Sequence, residues 1–127
     1  MLNLRHHSLV AWQRADDLFI TLHKLSIKSF PSFERYELGS QLRKAAYSVP
    51  ANIAEGYGRR DRRERLHFLD IAAASLAEVA YCVHAASRLG YLEGSSMTVL
   101  EKDLNGVGAP LTGLIRSIRS SSEEQPL

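Results

Sequence analysis

Seven apolar residues near the C-terminal end constrain this chain most. Met97, Leu100, Leu104, Val107, Leu111, Leu114 and Ile118 follow one another in steps of 3, 4, 3, 4, 3 and 4. That spacing places all seven on one stripe of an α-helix, and it is the seam of a helix packed against other helices. A segment of this kind cannot stand alone in water, so the rest of the chain must supply the apolar faces that cover it.

It does so in three further helical segments, with no convincing alternating strand between them. The first spans about residues 10–29, with a stripe of Trp12, Ala15, Leu18, Phe19, Leu22 and Leu25. Phe30-Pro31-Ser32 ends it, because the residue before a proline avoids the α region. The second runs over about 34–57, and Gly56 and Gly58 are expected to take positive φ and close it. The third covers 62–89: Asp61 caps it, Glu64 completes a capping-box pattern, and Gly90 stops it. The fourth runs over about 96–120, with a kink expected at Pro110. With 127 residues and short connections, the reading is all-α: an antiparallel up-down-up-down four-helix bundle over 10–120, between a flexible N-terminus (1–9) and a flexible tail (121–127).

Two helices carry more apolar surface than one bundle needs. The second places Leu38, Leu42, Ala45, Val49 and Ile53 on one face and Tyr47, Pro50, Ala51 and Ala54 opposite. The third has one seam at Phe68, Ala72, Ser75, Val79, Cys82 and Ala86, and another at Leu66, Leu69, Ala73, Leu76, Ala80 and Val83. Either the third helix is central, or Tyr47, Pro50, Ala51 and Ala54 with the third helix form a contact between copies. No run of apolar residues reaches the length of a membrane span, and a lone cysteine, Cys82, fits a reducing, cytoplasmic setting.

Charge is local. The chain is +2 overall, but Arg59, Arg60, Arg62, Arg63 and Arg65 stand against Asp61 and Glu64 alone, a patch of +3 that leaves −1 for the remainder. Arginine grips phosphate with two parallel donors, and a helix start beside glycines offers backbone N–H groups. The cluster is therefore either an RNA or DNA phosphate contact, a contact for an acidic protein, or a solvated loop. Asn52 and Glu55 either brace the turn or line a polar groove. Catalytic and metal patterns are weak. Glu64-Arg65-Leu66-His67 is a single E-x-x-H, whereas a di-iron bundle needs two with two further carboxylates. Cys82 and His84 point apart on a helix. No cofactor, metal or enzymatic activity is expected.

Ala11-Trp12-Gln13, Phe30-Pro31 with Glu34, Gln41-Leu42-Arg43-Lys44-Ala45, Ser48-Val49-Pro50-Ala51-Asn52-Ile53-Ala54-Glu55-Gly56, Phe68-Leu69-Asp70-Ile71-Ala72 and Ser75-Leu76-Ala77-Glu78 resemble, in this order, the 23S rRNA intervening-sequence proteins, also labelled the S23 ribosomal protein family. The resemblance covers about residues 10–120, and the S-x-P-x-N-I-A-E-G segment is its specific part, marking Pro50, Asn52, Glu55 and Gly56. It implies a bacterial four-helix bundle that forms a homopentamer and has no established catalysis. The family is named for reading frames inside insertions in 23S rRNA genes, though many members are encoded elsewhere. The chain is also similar to the accessory protein of diversity-generating retroelements, a basic pentameric bundle that binds nucleic acid and a reverse transcriptase. By that likeness Arg43, Lys44 and the Arg59–Arg65 cluster would face RNA or DNA. The alternative is an oligomeric protein–protein scaffold with no nucleic-acid role. This sequence departs from the strongly basic type in its small net charge and in Gly106, Gly108, Pro110 and Gly113 of the fourth helix.

Overall fold

A computed structural model describes residues 4–121. A short 3-10 turn, Arg5–Ser8, precedes α1 (Val10–Ser29). A second 3-10 turn, Ser32–Glu34, leads into α2 (Leu38–Tyr57). α3 (Arg62–Arg88) and α4 (Gly94–Arg119) complete the chain. Each helix packs on its sequence neighbours and α1 also packs on α4, so the four close into a ring around one core. Paired residues run in opposite chain directions. Ser26 meets Arg43 while Phe19 meets Tyr47; Gly56 meets Arg65 while Ser48 meets Ser75; Asp70 meets Arg119 while Leu76 meets Gly108. Consecutive helices are therefore antiparallel.

The core is the interior of that ring. Leu22, Leu42, Ile53, Leu69 and Val107 are fully buried, with small residues such as Ala15, Ala45, Ala72 and Ala86 between them. The small residues let the helix axes approach, and the branched ones fill the layers. Ile115 is buried as well, one residue off the stripe read from the sequence. α2 makes the most extensive contacts, chiefly with α3 and next with α1. Of the two alternatives for the surplus apolar surface of α3, a central place within the single chain is the one its contacts do not favour, since α2 is the more widely packed helix. The buried sector of α2 is correspondingly wide and takes in Ala46 and Pro50 as well as the expected stripe.

Local chemistry explains the boundaries. α1 ends at Ser29, with Phe30 extended at φ −81°, ψ 146° ahead of Pro31. α2 starts four residues later than expected, because Pro31 leads into the tight turn and the Glu34 carboxylate accepts the Leu38 N–H at 3.2 Å. Asp61 caps α3, its Oδ2 accepting the Glu64 N–H at 3.2 Å. The far end of α3 closes in a Schellman motif: Gly90 at φ 84°, the Tyr91 N–H on the Ala86 carbonyl and the Gly90 N–H on that of Ser87. α4 continues through Pro110. The missing N–H of Pro110 frees the Gly106 carbonyl, and the Arg14 guanidinium of α1 donates to that oxygen at 3.1 Å.

One expectation fails on backbone grounds. Gly56 and Gly58 do not adopt positive φ, and Gly58 closes α2 at φ −80°. Gly56 is required instead for close approach. A Cβ there would stand 3.1 Å from the Arg65 carbonyl oxygen and the Phe68 Cβ, and 3.3 Å from the Leu69 Cγ. Within the segment 5–8, His7 stacks on Trp12 at 4.6 Å and Arg5 lies 5.0 Å over the Tyr57 ring. The flexible tail expected over 121–127 falls outside the described residues except for Ser121.

Candidate nucleic-acid interface

The antiparallel order brings four termini together at one end of the bundle: the start of α1, the end of α2, the start of α3 and the end of α4. That end collects Arg5, Arg59, Arg60, Arg62, Arg63, Arg65, Arg116 and Arg119 against Glu55, Asp61, Glu64 and Asp70. With Arg14, Asp16 and Asp17 of the first turns of α1 counted to the same depth, nine arginines stand against six carboxylates, +3, so packing adds members to the patch without raising its net charge. Arg116 and Arg119 were missed in the sequence because they lie more than fifty residues from the cluster. Their signal was the placement of two cations in the last turn of α4, where they also complement the helix dipole.

The arginines are not equivalent. Arg59 is ion-paired with Glu55, stands 3.5 Å from Glu64 and lies 4.9 Å over the Phe68 ring. Arg65 lies 5.8 Å over the Tyr57 ring. Its buried Nε has no hydrogen-bond partner. Arg62 donates to the Ser121 carbonyl and so ties α3 to the end of α4. These three are fixed by the fold. Arg119 stands 3.4 Å from Asp70, an exposed pair of the kind that contributes little to stability and exchanges readily for another anion. Arg60, Arg63 and Arg116 have no ion pair among the described residues, and Arg60 and Arg63 are exposed. Arg62, Arg63, His67 and Arg119 with Leu66 and Asp70 line a hollow of about 420 Å³ on this end.

The helix start itself is less available than the sequence indicated. Asp61 already occupies the Glu64 N–H. Glu64 does not reach back to complete the capping box; its carboxylate faces Arg59 instead.

Arg43 and Lys44 do not join this patch. Arg43 donates to the Ser26 hydroxyl at 3.0 Å and to the Arg35 carbonyl at 2.7 Å, clamping α1 to the start of α2. It sits about 22 Å along α2 from Gly58, at 1.5 Å per residue. Lys44 is exposed on the same remote turns.

The family-motif residues divide in the same way. Asn52 donates to the Ser48 carbonyl at 2.8 Å and to the Ser48 hydroxyl at 2.9 Å, and Ser48 is 2.7 Å from the Ser75 hydroxyl of α3. Asn52 therefore braces the α2–α3 seam, and Glu55 braces the turn through Arg59. Of the residues expected between copies, Tyr47 is 61% exposed and Ala51 and Ala54 are half-buried, but Pro50 is buried within the single chain. It is withdrawn from that surface because the wide buried sector of α2 extends past it.

α3 also answers the membrane question differently from the sequence. By length and composition it is long and apolar enough to cross a membrane, although only 28% of the relevant window is buried. Alanine raises hydropathy without filling much volume, so this helix reads as apolar while exposing Ala74, Ala77, Ala80 and Tyr81. Cys82 is buried, and burial followed by the nearby Glu78 carboxylate pushes its thiol pKa up, away from nucleophilic use. Among the described residues no three His, Cys, Asp or Glu side chains converge as a metal cluster would.

Comparison with known proteins agrees with this architecture. The sequence profile of the family described as 23S rRNA-intervening sequence protein matches residues 7–113. The chain belongs to that family. A crystal structure of a protein of unknown function from the S23 ribosomal protein family of Bacteroides thetaiotaomicron VPI-5482 superposes with a TM-score of 0.78 at 18% identity. The match covers 84% of this chain and 96% of that one. At that identity the likeness is one of fold. No curated protein matches significantly.

Proposed function

We propose that this family member is a non-enzymatic protein that assembles with copies of itself and contacts RNA or DNA phosphates through the arginine-rich end of the bundle. The observation that carries the reading is the division among the arginines. Arg59, Arg62 and Arg65 hold the end together, while Arg60, Arg63 and Arg116 face no carboxylate among the described residues of their own chain. Surplus arginine on a rigid helix end is suited to phosphate, which it meets with two donors at once. One copy presents few such arginines and binds weakly. Several copies in one assembly, five by family resemblance, multiply them through effective concentration and steepen the salt dependence.

The test is a titration of RNA and DNA at a series of salt concentrations. Replacing Arg60, Arg63, Arg116 and Arg119 with Ala is expected to weaken binding and to flatten the plot of log affinity against log salt by about 0.9 for each duplex phosphate that is no longer neutralised. Arg43→Ala should leave that slope unchanged, whatever it does to stability. No binding at low salt, or an unchanged slope in the quadruple variant, overturns the reading. A scaffold that holds only protein is favoured by one separate observation, the exposed apolar face of α3. It would show assembly without any nucleic-acid affinity.

A further inference from the structure

Phosphate can be met on a single strand or on a duplex, and the aromatic residues of the basic end distinguish the two. Proteins that hold single strands combine a basic track with open aromatic faces on which bases stack. Three aromatic residues lie near the basic end: Trp12, Tyr57 and Phe68. Each is already covered. Trp12 carries His7 stacked at 4.6 Å and His6 edge-on at 4.9 Å. Tyr57 carries Arg5 at 5.0 Å and Arg65 at 5.8 Å. Phe68 carries Arg59 at 4.9 Å and the edge of His67 at 5.1 Å. All three rings are half-buried. The well-exposed aromatics lie elsewhere: Phe33 and Tyr36 at the opposite end, and Tyr47 and Tyr81 on the flanks of α2 and α3. The bundle thus separates its exposed arginines from its exposed phenyl and phenol rings, and the exposed ring that stays among them is the smaller imidazole of His67, edge-on to Phe68.

Resting on the phosphate-contact reading above, we infer that the ligand of the basic end is a nucleic-acid duplex, held by its phosphates without stacking and without sequence readout. A stacked base contributes about 5- to 150-fold in affinity, and a single strand would forgo that here. A duplex has no open base faces to lose. It also presents one phosphate per 1.7 Å of axis, twice the density of either strand, to the same arginines.

Fluorescence anisotropy with the full-length protein tests this, using RNA and DNA duplexes of 24 pairs and their component strands, unstructured by choice of sequence, at 50 to 200 mM salt. At least one duplex type, RNA or DNA, is expected to bind threefold or more tighter than its own strands. A smaller advantage, or a preference for single strands, overturns the duplex inference while leaving phosphate binding in place. Absence of binding to every probe overturns the underlying reading instead. A second variant keeps the inference open to refutation from the other side. Arg59→Ala removes the cation from Phe68 and Arg5→Ala the nearer of the two cations from Tyr57, so the double variant should lose duplex affinity yet shift the single-strand to duplex ratio at least threefold toward the single strand. An unchanged ratio overturns the claim that ring coverage sets the preference.

Discussion

Tyr91 donates its phenolic hydrogen to Glu34 at 2.7 Å, and Glu34 accepts the Leu38 N–H with its other oxygen. One carboxylate thereby joins the α1–α2 connection to the α3–α4 connection, and Phe30 against Tyr91 at 5.4 Å reinforces it. The sequence offered Glu34 as a motif residue beside Phe30-Pro31, but Tyr91 lies 57 residues away and nothing local marks the pair. The hydrogen bond to Glu34, then burial and the negative charge, raise the Tyr91 pKa above its ordinary value. The sign follows. A raised folded-state pKa favours the protonated phenol in the native state. Its stabilisation is full below the unfolded pKa of about 10 and is lost as pH rises through the higher folded value. Urea midpoints of the natural protein and Tyr91→Phe should differ at pH 8 and draw together as pH rises above the unfolded value of about 10. A gap that stays constant across that range would remove the Glu34–Tyr91 bond from the account.

Helices were legible wherever spacing alone decides. The extent of α1, the Asp61 cap of α3 and the Gly90 stop each depend on residues within one turn of the boundary. The start of α2 and the role of Gly56 depend on partners the local pattern does not contain: the Glu34 carboxylate in one case, the α3 backbone in the other. The Asn52–Ser48–Ser75 link has the same character. Its α2 half lies in the S-x-P-x-N segment that the sequence marks out, whereas Ser75 reads as one more position in an apolar seam. Ser75 is only 9% exposed, so its hydroxyl needs the partner it has. A double-mutant cycle of Ser48→Ala and Ser75→Ala is expected to show a coupling of about 0.5–1.5 kcal/mol by chemical denaturation, the usual range for a neutral hydrogen bond. Ser48→Ala should cost more than half of the double change, because it strands the Ser75 hydroxyl, whereas Ser75→Ala leaves the Ser48 hydroxyl its bond from Asn52. Strictly additive effects would mean that the two serines only fill space.

At the scale of the molecule, the candidate site was half visible. Five arginines in seven residues announce a patch, but its size and its working members depend on which helix ends meet. Antiparallel packing adds Arg116 and Arg119 and excludes Arg43. The same packing leaves one apolar surface unaccounted for within a single chain. Ala74, Ala77, Ala80 and Tyr81 of α3 are exposed, Tyr81 at 68%, and Ala73, Leu76 and Ala77 border a hollow of about 300 Å³ against Leu104 and Gly108 of α4. Small side chains beside a glycine allow another helix to come close, and an exposed apolar strip of this kind is commonly covered by a partner. If copies of this chain cover it, light scattering at tens of micromolar should give a mass several times 14.2 kDa, fivefold by family resemblance. Ala77→Glu with Tyr81→Arg should then return the mass to 14.2 kDa while leaving the circular dichroism of a helical bundle intact. The two substitutions lie on the solvent side of α3, so unfolding is not their expected effect. The monomer so produced should also bind duplex with a shallower salt dependence, because each particle then carries one basic end rather than several. A natural protein already monomeric at that concentration would sink the assembly. An unchanged mass in the double variant would move the contact to another face, with Tyr47, Ala51 and Ala54 of α2 the next to replace.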